Sequence, residues 1–212
     1  MDKKPIRCYY PGDFVLPNKY DLQKAQWLAR KMHEVSEVII VIGKDVKGEI
    51  PSKLKRDIWK EMLRYSSGEP IDVDMSDKYS PLTAIYKQHE GDVNSPFAIA
   101  LDRDIAEDET VQTTFEAFPN YEIILLPTSP KSNLSKEMVS AVESDDFNTF
   151  SAGLPPEMTK DIKRKLFGLI KANMPQLKPS NDDEPPVQDA TTNEWWDRNL
   201  KPLYNKFGLS KI

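Results

Sequence analysis

The stretch YYPGDFVLPNKYDLQKAQWLAR, residues 9–30, decides the fold class of this 212-residue chain. It begins at the end of a short apolar run, passes through a turn that contains Pro11 and Gly12, and continues into a helical pattern. The helical pattern is one apolar stripe whose members recur every three or four residues: Leu22, Ala25, Ala29 and Met32. The stretch therefore predicts a strand, a loop and a helix in succession.

Further apolar runs repeat this unit along the chain. The predicted strands are residues 6–10, 37–43, 71–75, 97–101 and 121–127. Helical patterns separate them at residues 54–62, at 81–88 with Ser80 as the N-cap and Pro81 first, and at 110–118. This alternation is typical of a doubly wound five-stranded parallel sheet of the Rossmann-like α/β class.

Two more helices are predicted after the last strand, at residues 134–143 and 156–172. In the second helix we expect one stripe to face the core, made of Ile162, Leu166, Leu169 and Ile170. In such folds the ligand crevice lies beyond the carboxyl ends of the strands. We therefore expect four segments around one rim: residues 11–21, 43–48, 102–108 and 127–135.

The composition changes after residue 173. Residues 174–193 contain four prolines and several acidic residues, which predicts an extended linker between a domain at 1–173 and a segment at 194–212. Apolar residues return in that last segment: Trp195, Trp196, Leu200, Leu203, Tyr204 and Phe207. So many aromatic side chains predict a segment that either folds back on the domain or docks on a protein partner.

The loop and the layout resemble the nucleotidylyltransferase superfamily, which has the cytidylyltransferase-like fold. In that family the first strand is followed by G-x-F-x-P-x-H-x-G-H and a helix, and Gly12 and Phe14 match this motif. Leu134 and Ser135 match the first two positions of the later family motif I-S-S-T-x-x-R. The resemblance covers about residues 5–172 and implies a domain of the nucleotidylyltransferase type. Its members join a nucleotide monophosphate to a phosphate-bearing acceptor and release pyrophosphate.

The departures from the family motifs fall on the charged positions. The two histidines are replaced by Asn18 and Asp21, and the late arginine is replaced by Ser140. The motif proline is Leu16, the inner glycine is Tyr20, and the threonine of the later motif is Glu137. Loss of one charge-stabilising donor typically costs about 3 kcal/mol of transition-state stabilisation. The resemblance therefore implies vestigial positions at Asn18, Asp21 and Ser140, with no catalytic residue expected. An ordinary structural role, in which Asn18 stabilises the turn and Asp21 caps the helix, also fits these residue types.

The resulting hypothesis is a non-catalytic protein with a structural or interaction role. Degenerate copies of this fold among phage-encoded proteins lead to the more specific hypothesis of a virion component at a neck, portal or capsid. Its partner would bind the six apolar residues of the C-terminal segment, and no cofactor or metal is expected.

The net charge of −5 argues against general nucleic-acid binding. Without an apolar signal or membrane-spanning run, we expect it in the host-cell cytoplasm or the virion.

The alternative is an active nucleotidylyltransferase that uses Mg²⁺ with ATP or CTP. The resemblance implies that its nucleotide site would comprise Gly12, Phe14, Asn18, Lys19, Ser135 and Lys136. A third possibility, a nucleotide sensor without turnover, requires a crevice that Tyr20 does not fill.

The acidic residues at 102–109 suit either a Mg²⁺ site or a solvated helix start, and the latter is favoured. His33 and His89 lack a second ligand at zinc spacing, and Cys8 is expected to be buried.

Overall fold

The computed structural model describes residues 6–31, 35–45, 49–66, 68–77, 80–131 and 133–174. Within these ranges one five-stranded parallel sheet has the order β3-β2-β1-β4-β5. Its strands are β1 (Ile6–Gly12), β2 (Val35–Ile42), β3 (Ile71–Met75), β4 (Phe97–Leu101) and β5 (Tyr121–Leu125). The five predicted strands and the doubly wound Rossmann-like class are confirmed.

Helices connect the strands and cover the sheet. They are α1 (Lys19–Arg30), α2 (Ser52–Leu63), α3 (Pro81–His89), α4 (Arg103–Ala106), α5 (Glu109–Phe115), α6 (Leu134–Glu143), α7 (Phe147–Gly153) and α8 (Lys160–Asn173). Ser80 is the N-cap of α3, since its side chain accepts a hydrogen bond from the Thr83 N–H, and Pro81 is its first residue. The one-turn helix α4 was not predicted, because four residues are too few to show a helical period.

The sheet separates two apolar clusters. On one face α1, α2, α6, α7 and α8 pack around a core that includes Tyr10, Ile40 and Trp59. On the other face α3, α4 and α5 pack around Tyr9 and Phe97. Each strand contributes alternate side chains to the two faces, so β1, at the centre of the sheet, belongs to both clusters.

The apolar stripe of α8 differs from the prediction. Leu166 and Ile170 are buried and Ile162 is half-buried, but Leu169 is 42% exposed, so its assignment to the core was wrong. Residues 162, 166 and 170 are four apart and define one stripe, whereas Leu169 is rotated about 100° from Ile170 on the helix. Phe167, which the prediction left out, packs in the core instead. The helix also begins at Lys160, four residues after the predicted start.

The turn after β1 depends on a close contact between Gly12 and Phe14. A Cβ atom on Gly12 would lie 2.7 Å from the Phe14 ring, so this position requires glycine. Phe14 has a positive φ of 42°, and its ring meets Trp59 edge-on at a centroid distance of 5.2 Å. The aromatic contact holds the chain in a backbone conformation that side chains rarely adopt. Both residues therefore have a structural function at the start of the crevice loop.

Several predictions fall on residues that the structure does not describe. Met32 and His33 are among them, as are nearly all of the predicted linker and the whole segment 194–212. The division into domain, linker and tail therefore remains a prediction. In the described ranges, the search for a helix long and apolar enough to cross a bilayer found none.

Candidate functional site

The carboxyl ends of β1, β4 and β5 surround a crevice of about 860 Å³. The strand order changes direction between β1 and β4, and ligands of open α/β sheets bind at such a point. The lining residues come from α1 and from the segments after β4 and β5: Asn18, Tyr20, Asp21, Lys24, Trp27, Asp102, Arg103, Asp104, Glu107, Leu125, Leu126, Pro127, Thr128, Ser129, Lys131 and Ser135. Three of the four predicted rim segments thus meet, and Tyr20 lines the crevice without filling it.

Of the fourth predicted rim segment, residues 43–48, the structure describes 43–45, and these residues do not line this crevice. The described part of the segment binds the first residue of α2 instead. The Ser52 hydroxyl donates to the Gly43 carbonyl at 2.6 Å, and the Ser52 N–H donates to the Asp45 carboxylate. These contacts satisfy the start of a helix whose N-cap residue, Pro51, has no side-chain acceptor.

Asn18 and Asp21 form a capping box at the start of α1. The side-chain oxygen Asn18 Oδ1 accepts from the N–H of Tyr20 at 2.9 Å and from that of Asp21 at 3.4 Å. In return, Asp21 Oδ2 accepts from the Asn18 N–H at 3.0 Å and from Asn18 Nδ2 at 2.7 Å. The structural role expected from the sequence is therefore correct in kind, but the N-cap is Asn18, whereas the prediction had assigned the cap to Asp21. The side chains of both residues form hydrogen bonds with each other and with the start of the helix.

Ser135 connects this capping box to the start of α6. Asn18 Nδ2 donates to Ser135 Oγ at 3.0 Å, and Ser135 Oγ donates to the Leu16 carbonyl at 2.8 Å. The loop after β1 and the N-terminus of α6 are therefore tied together across 117 residues of sequence. In this arrangement Ser135 has a polar partner on each side and holds two walls of the crevice together.

Asp21 is a carboxyl group with an altered acidity. Burial raises its pKa to about 7, and the nearby Asp102 carboxylate acts in the same direction. The hydrogen bond from the Asn18 N–H and the charge of Lys24 oppose this change. At neutral pH the group is consequently divided between its protonated and ionised forms.

Lys24 is the buried basic residue of the crevice, with a side chain 10% exposed. Its Nζ lies 2.6 Å from Asp102 Oδ1, so the positive charge of Lys24 is paired with the Asp102 carboxylate. The other two basic residues are also paired: Arg103 with Glu107 at 3.4 Å and Lys131 with Glu137 at 2.9 Å. Four acidic residues, Asp21, Asp102, Asp104 and Glu107, share the lining with these three basic ones. A triphosphate would meet little positive charge that is not already paired.

The remaining residues expected in a nucleotide site lie elsewhere. Lys19 Nζ donates to the Ala152 carbonyl at 2.8 Å, near the end of α7. Lys136 and Ser140 are exposed on α6 and line a second concavity of about 550 Å³ that shares no residue with the crevice. Gly12 and Phe14 pack beside Trp59, outside the crevice lining. Of the six residues expected in the nucleotide site, only Asn18 and Ser135 line the crevice.

The acidic segment after β4 starts two helices. Asp102 and Asp108 are the N-cap residues of α4 and α5, and Asp108 accepts from the Thr110 N–H at 2.8 Å. Within the described ranges, no three histidine, cysteine or acidic side chains converge as a metal site would require. His89 is buried, stacks on Phe97 at 3.9 Å and lies 3.1 Å from the Tyr9 hydroxyl, so it belongs to the core. Cys8 is fully buried as predicted, and burial raises its pKa to about 12.

The fold has counterparts among solved structures. A Plasmodium falciparum nicotinic acid mononucleotide adenylyltransferase complexed with NaAD matches with a TM-score of 0.55 at 15% identity, over 78% of this chain and 98% of that one. The same enzyme complexed with APC matches with a TM-score of 0.51 at 17% identity and the same coverage. This chain shares its fold with these two adenylyltransferase structures.

The nucleotidylyltransferase-type fold that the sequence predicted is thereby confirmed. At this level of identity the likeness concerns the fold alone. No protein-family model matches this chain, and no curated protein matches it.

Four residues of the crevice lie outside the predicted rim segments. Leu125 and Leu126 were assigned to the last strand, and the other two are Lys24 and Trp27. Both lie on α1 and line the crevice, although neither is on the apolar stripe that identified the helix. Their position four and seven residues after Tyr20 was the available signal, because side chains three or four residues apart share one helix face. The partner of Lys24, Asp102, lies 78 residues away and could not be assigned without the strand order.

Proposed function

We propose that this chain is a non-catalytic nucleotidylyltransferase-like protein with a structural or interaction role. The observation that carries the proposal is the capping box of Asn18 and Asp21. At these two positions the family motif has histidines, which act on the triphosphate. Here one side chain is neutral, the other is acidic, and each is bonded to the other.

The charges around the crevice support the same proposal. Nucleotidyl transfer depends on positive groups that stabilise charge growing on the phosphates. The lysines that could have replaced the missing groups, Lys19 and Lys136, do not line the crevice, and Lys24 is already paired with Asp102. An ionised Asp21 would repel a phosphate at close range.

One observation favours a second candidate, a protein that binds nucleotide without turnover. The crevice remains open at about 860 Å³, which is within the usual range for small-molecule sites. Its aromatic lining residues Tyr20 and Trp27 offer surfaces on which a base could stack. This candidate needs affinity that comes from the base and ribose more than from the phosphates.

The test is a calorimetric titration of the full chain with ATP and with CTP in the presence of Mg²⁺, followed by an assay of pyrophosphate release. A panel of phosphorylated acceptors accompanies the assay. The proposal expects neither heat at millimolar nucleotide nor pyrophosphate. Micromolar binding without pyrophosphate would replace it with the sensor. Pyrophosphate release that is lost in Lys24→Ala and retained in Lys87→Ala, an exposed lysine on α3, would establish an enzyme instead.

The finer part of the proposal concerns the partner and the setting. The C-terminal residues Trp195, Trp196, Leu200, Leu203, Tyr204 and Phe207 are proposed to bind a protein partner. Their spacing after a proline-containing segment is typical of a docking segment on a tether. The proposal of a phage virion component, at a neck, portal or capsid, is a hypothesis that rests on the resemblance to the nucleotidylyltransferase superfamily, because degenerate copies of this fold occur among phage-encoded proteins.

A further inference from the structure

The crevice has one apolar wall and one acidic wall. The apolar side consists of Tyr20, Trp27, Leu125 and Pro127, and Leu125 is 42% exposed. Asp104 and Glu107 are exposed on the acidic side, beside the Lys24–Asp102 pair, and Glu107 shares its charge with the exposed Arg103 at 3.4 Å. A ligand that matches both walls must combine apolar or aromatic groups with positive charge.

The C-terminal segment of the same chain has this chemistry. Residues 194–212 contain four basic residues, Arg198, Lys201, Lys206 and Lys211, against the two acidic residues Glu194 and Asp197. Its tryptophans precede the first basic residue by two and three positions. Basic and aromatic side chains therefore alternate over a short length, in contrast to the acidic linker before them.

The linker is long enough to connect the two. Helix α8 ends at Asn173, and residues 174–193 lie between it and the segment. Twenty residues extend to at most about 65 Å, whereas a domain of this length has a radius of gyration of only about 15 Å. Attachment by a short linker also gives the segment a high effective concentration at the domain, which favours docking within one chain.

We propose that residues 194–212 dock in the crevice of their own chain, with aromatic side chains against Tyr20, Trp27 and Leu125 and basic side chains against Asp104 and Glu107. This inference rests on the proposed function, since it requires a crevice that holds no nucleotide. The docked form is the state without a partner, and a protein partner that binds the same aromatic residues competes with the crevice for them.

The test measures how fast trypsin cleaves the full chain after Arg198. Because cleavage requires an undocked segment, its rate follows the undocked population. Leu125→Glu places a charge on the apolar wall and should accelerate cleavage at least about ten-fold. Val93→Glu is the matched control, since Val93 is similarly exposed, at 39% against 42% for Leu125, and precedes β4 at the other end of the sheet. Its cleavage rate should equal that of the unmodified chain.

A second pair of variants covers the case in which Leu125→Glu fails to fold. Asp104→Lys reverses a charge on the acidic wall and should also accelerate cleavage, whereas Glu143→Lys, an exposed change on α6 outside the crevice lining, should not. Equal rates in all variants and the unmodified chain would overturn the proposal. So would protection that grows with protein concentration together with a dimer in light scattering, since the segment then docks on a second copy. Heat with ATP or CTP would count against the proposed function, whatever the cleavage rates.

Discussion

At the scale of single residues, two asparagines show how differently the same residue type functions in this fold. Asn18 and Asn133 are the N-cap residues of α1 and α6. The Asn18 side chain accepts from two backbone N–H groups and donates to Asp21 and Ser135, whereas Asn133 makes no capping hydrogen bond through its side chain. The energetic contribution of each can therefore be separated by the same substitution.

Asn18→Ala should lower the free energy of unfolding by about 1–2 kcal/mol, because it removes the cap of α1 and leaves Asp21 and Ser135 without one partner each. Asn133→Ala should change it by less than about 0.5 kcal/mol. Urea denaturation of both variants measures the difference. Equal losses in the two proteins would show that the capping box does not stabilise α1.

Asp21 should make stability depend on pH between about pH 4 and pH 7. Its pKa is about 7 in the folded chain and near the ordinary value of 3.8 in the unfolded chain, so in this window the folded state keeps a proton that the unfolded state has lost. The contribution of Asp21 to the free energy of unfolding therefore falls as pH rises, by up to about 1.4 kcal/mol per pH unit. It becomes constant above the folded pKa.

The measurement is urea denaturation of the unmodified chain and of Asp21→Asn at several pH values between about 5 and about 8. The amide introduced by this substitution keeps an acceptor for the Asn18 N–H but does not titrate. Stability of the unmodified chain relative to the variant should decrease with rising pH. A constant difference would mean that Asp21 keeps an ordinary pKa.

At the scale of elements, the sequence predicted strands better than it predicted helix faces. Strands 71–75 and 97–101 were predicted to the residue, because short apolar runs between polar loops leave little choice of boundary. Leu169 was assigned to the core because the apolar pattern of α8 is compatible with more than one rotation of the helix about its axis. The rotation that leaves Leu169 exposed is fixed by the packing of α8 against α6 and α7. The sequence predicted that Asn18 stabilises the turn and Asp21 caps α1, but Asn18 is the N-cap and Asp21 lies in the first turn of the helix. The pairing of Lys24 with Asp102 required the strand order.

Helix α8 also contains a glycine whose replacement by alanine should stabilise the fold. Gly168 is exposed, and a Cβ atom there would have no heavy atom within 4 Å. Gly168→Ala should therefore raise the free energy of unfolding by about 0.5–1 kcal/mol, since alanine loses less backbone entropy in a helix. Gly153→Ala in α7 is the comparison, because its Cβ would overlap the Met138 side chain and should destabilise the fold. Thermal unfolding by circular dichroism distinguishes the two signs.

At the scale of the whole molecule, the two apolar clusters share one sheet and should unfold together. Ile58 belongs to the cluster around Trp59, and Ile85 belongs to the cluster around Phe97; both are at most 1% exposed. Ile58→Ala and Ile85→Ala should each lower the free energy of unfolding by about 2–5 kcal/mol while leaving one cooperative transition. Coincident urea curves from circular dichroism and tryptophan fluorescence are the check. Separate transitions in either variant would show that the two faces unfold independently.

The strand order also has a consequence for the chain during its synthesis. Of the five strands of this sheet, β1 is synthesised before the others, and it lies at the centre of the finished sheet, between β2 and β4. Its pairing with β2 is available early, but its other neighbour starts only at Phe97, long after β1 ends at Gly12. At roughly 5–20 residues per second, translation of the intervening segment takes on the order of ten seconds. Throughout that interval the nascent chain presents an unpaired apolar strand edge, which makes β1 the natural point of attachment for a chaperone.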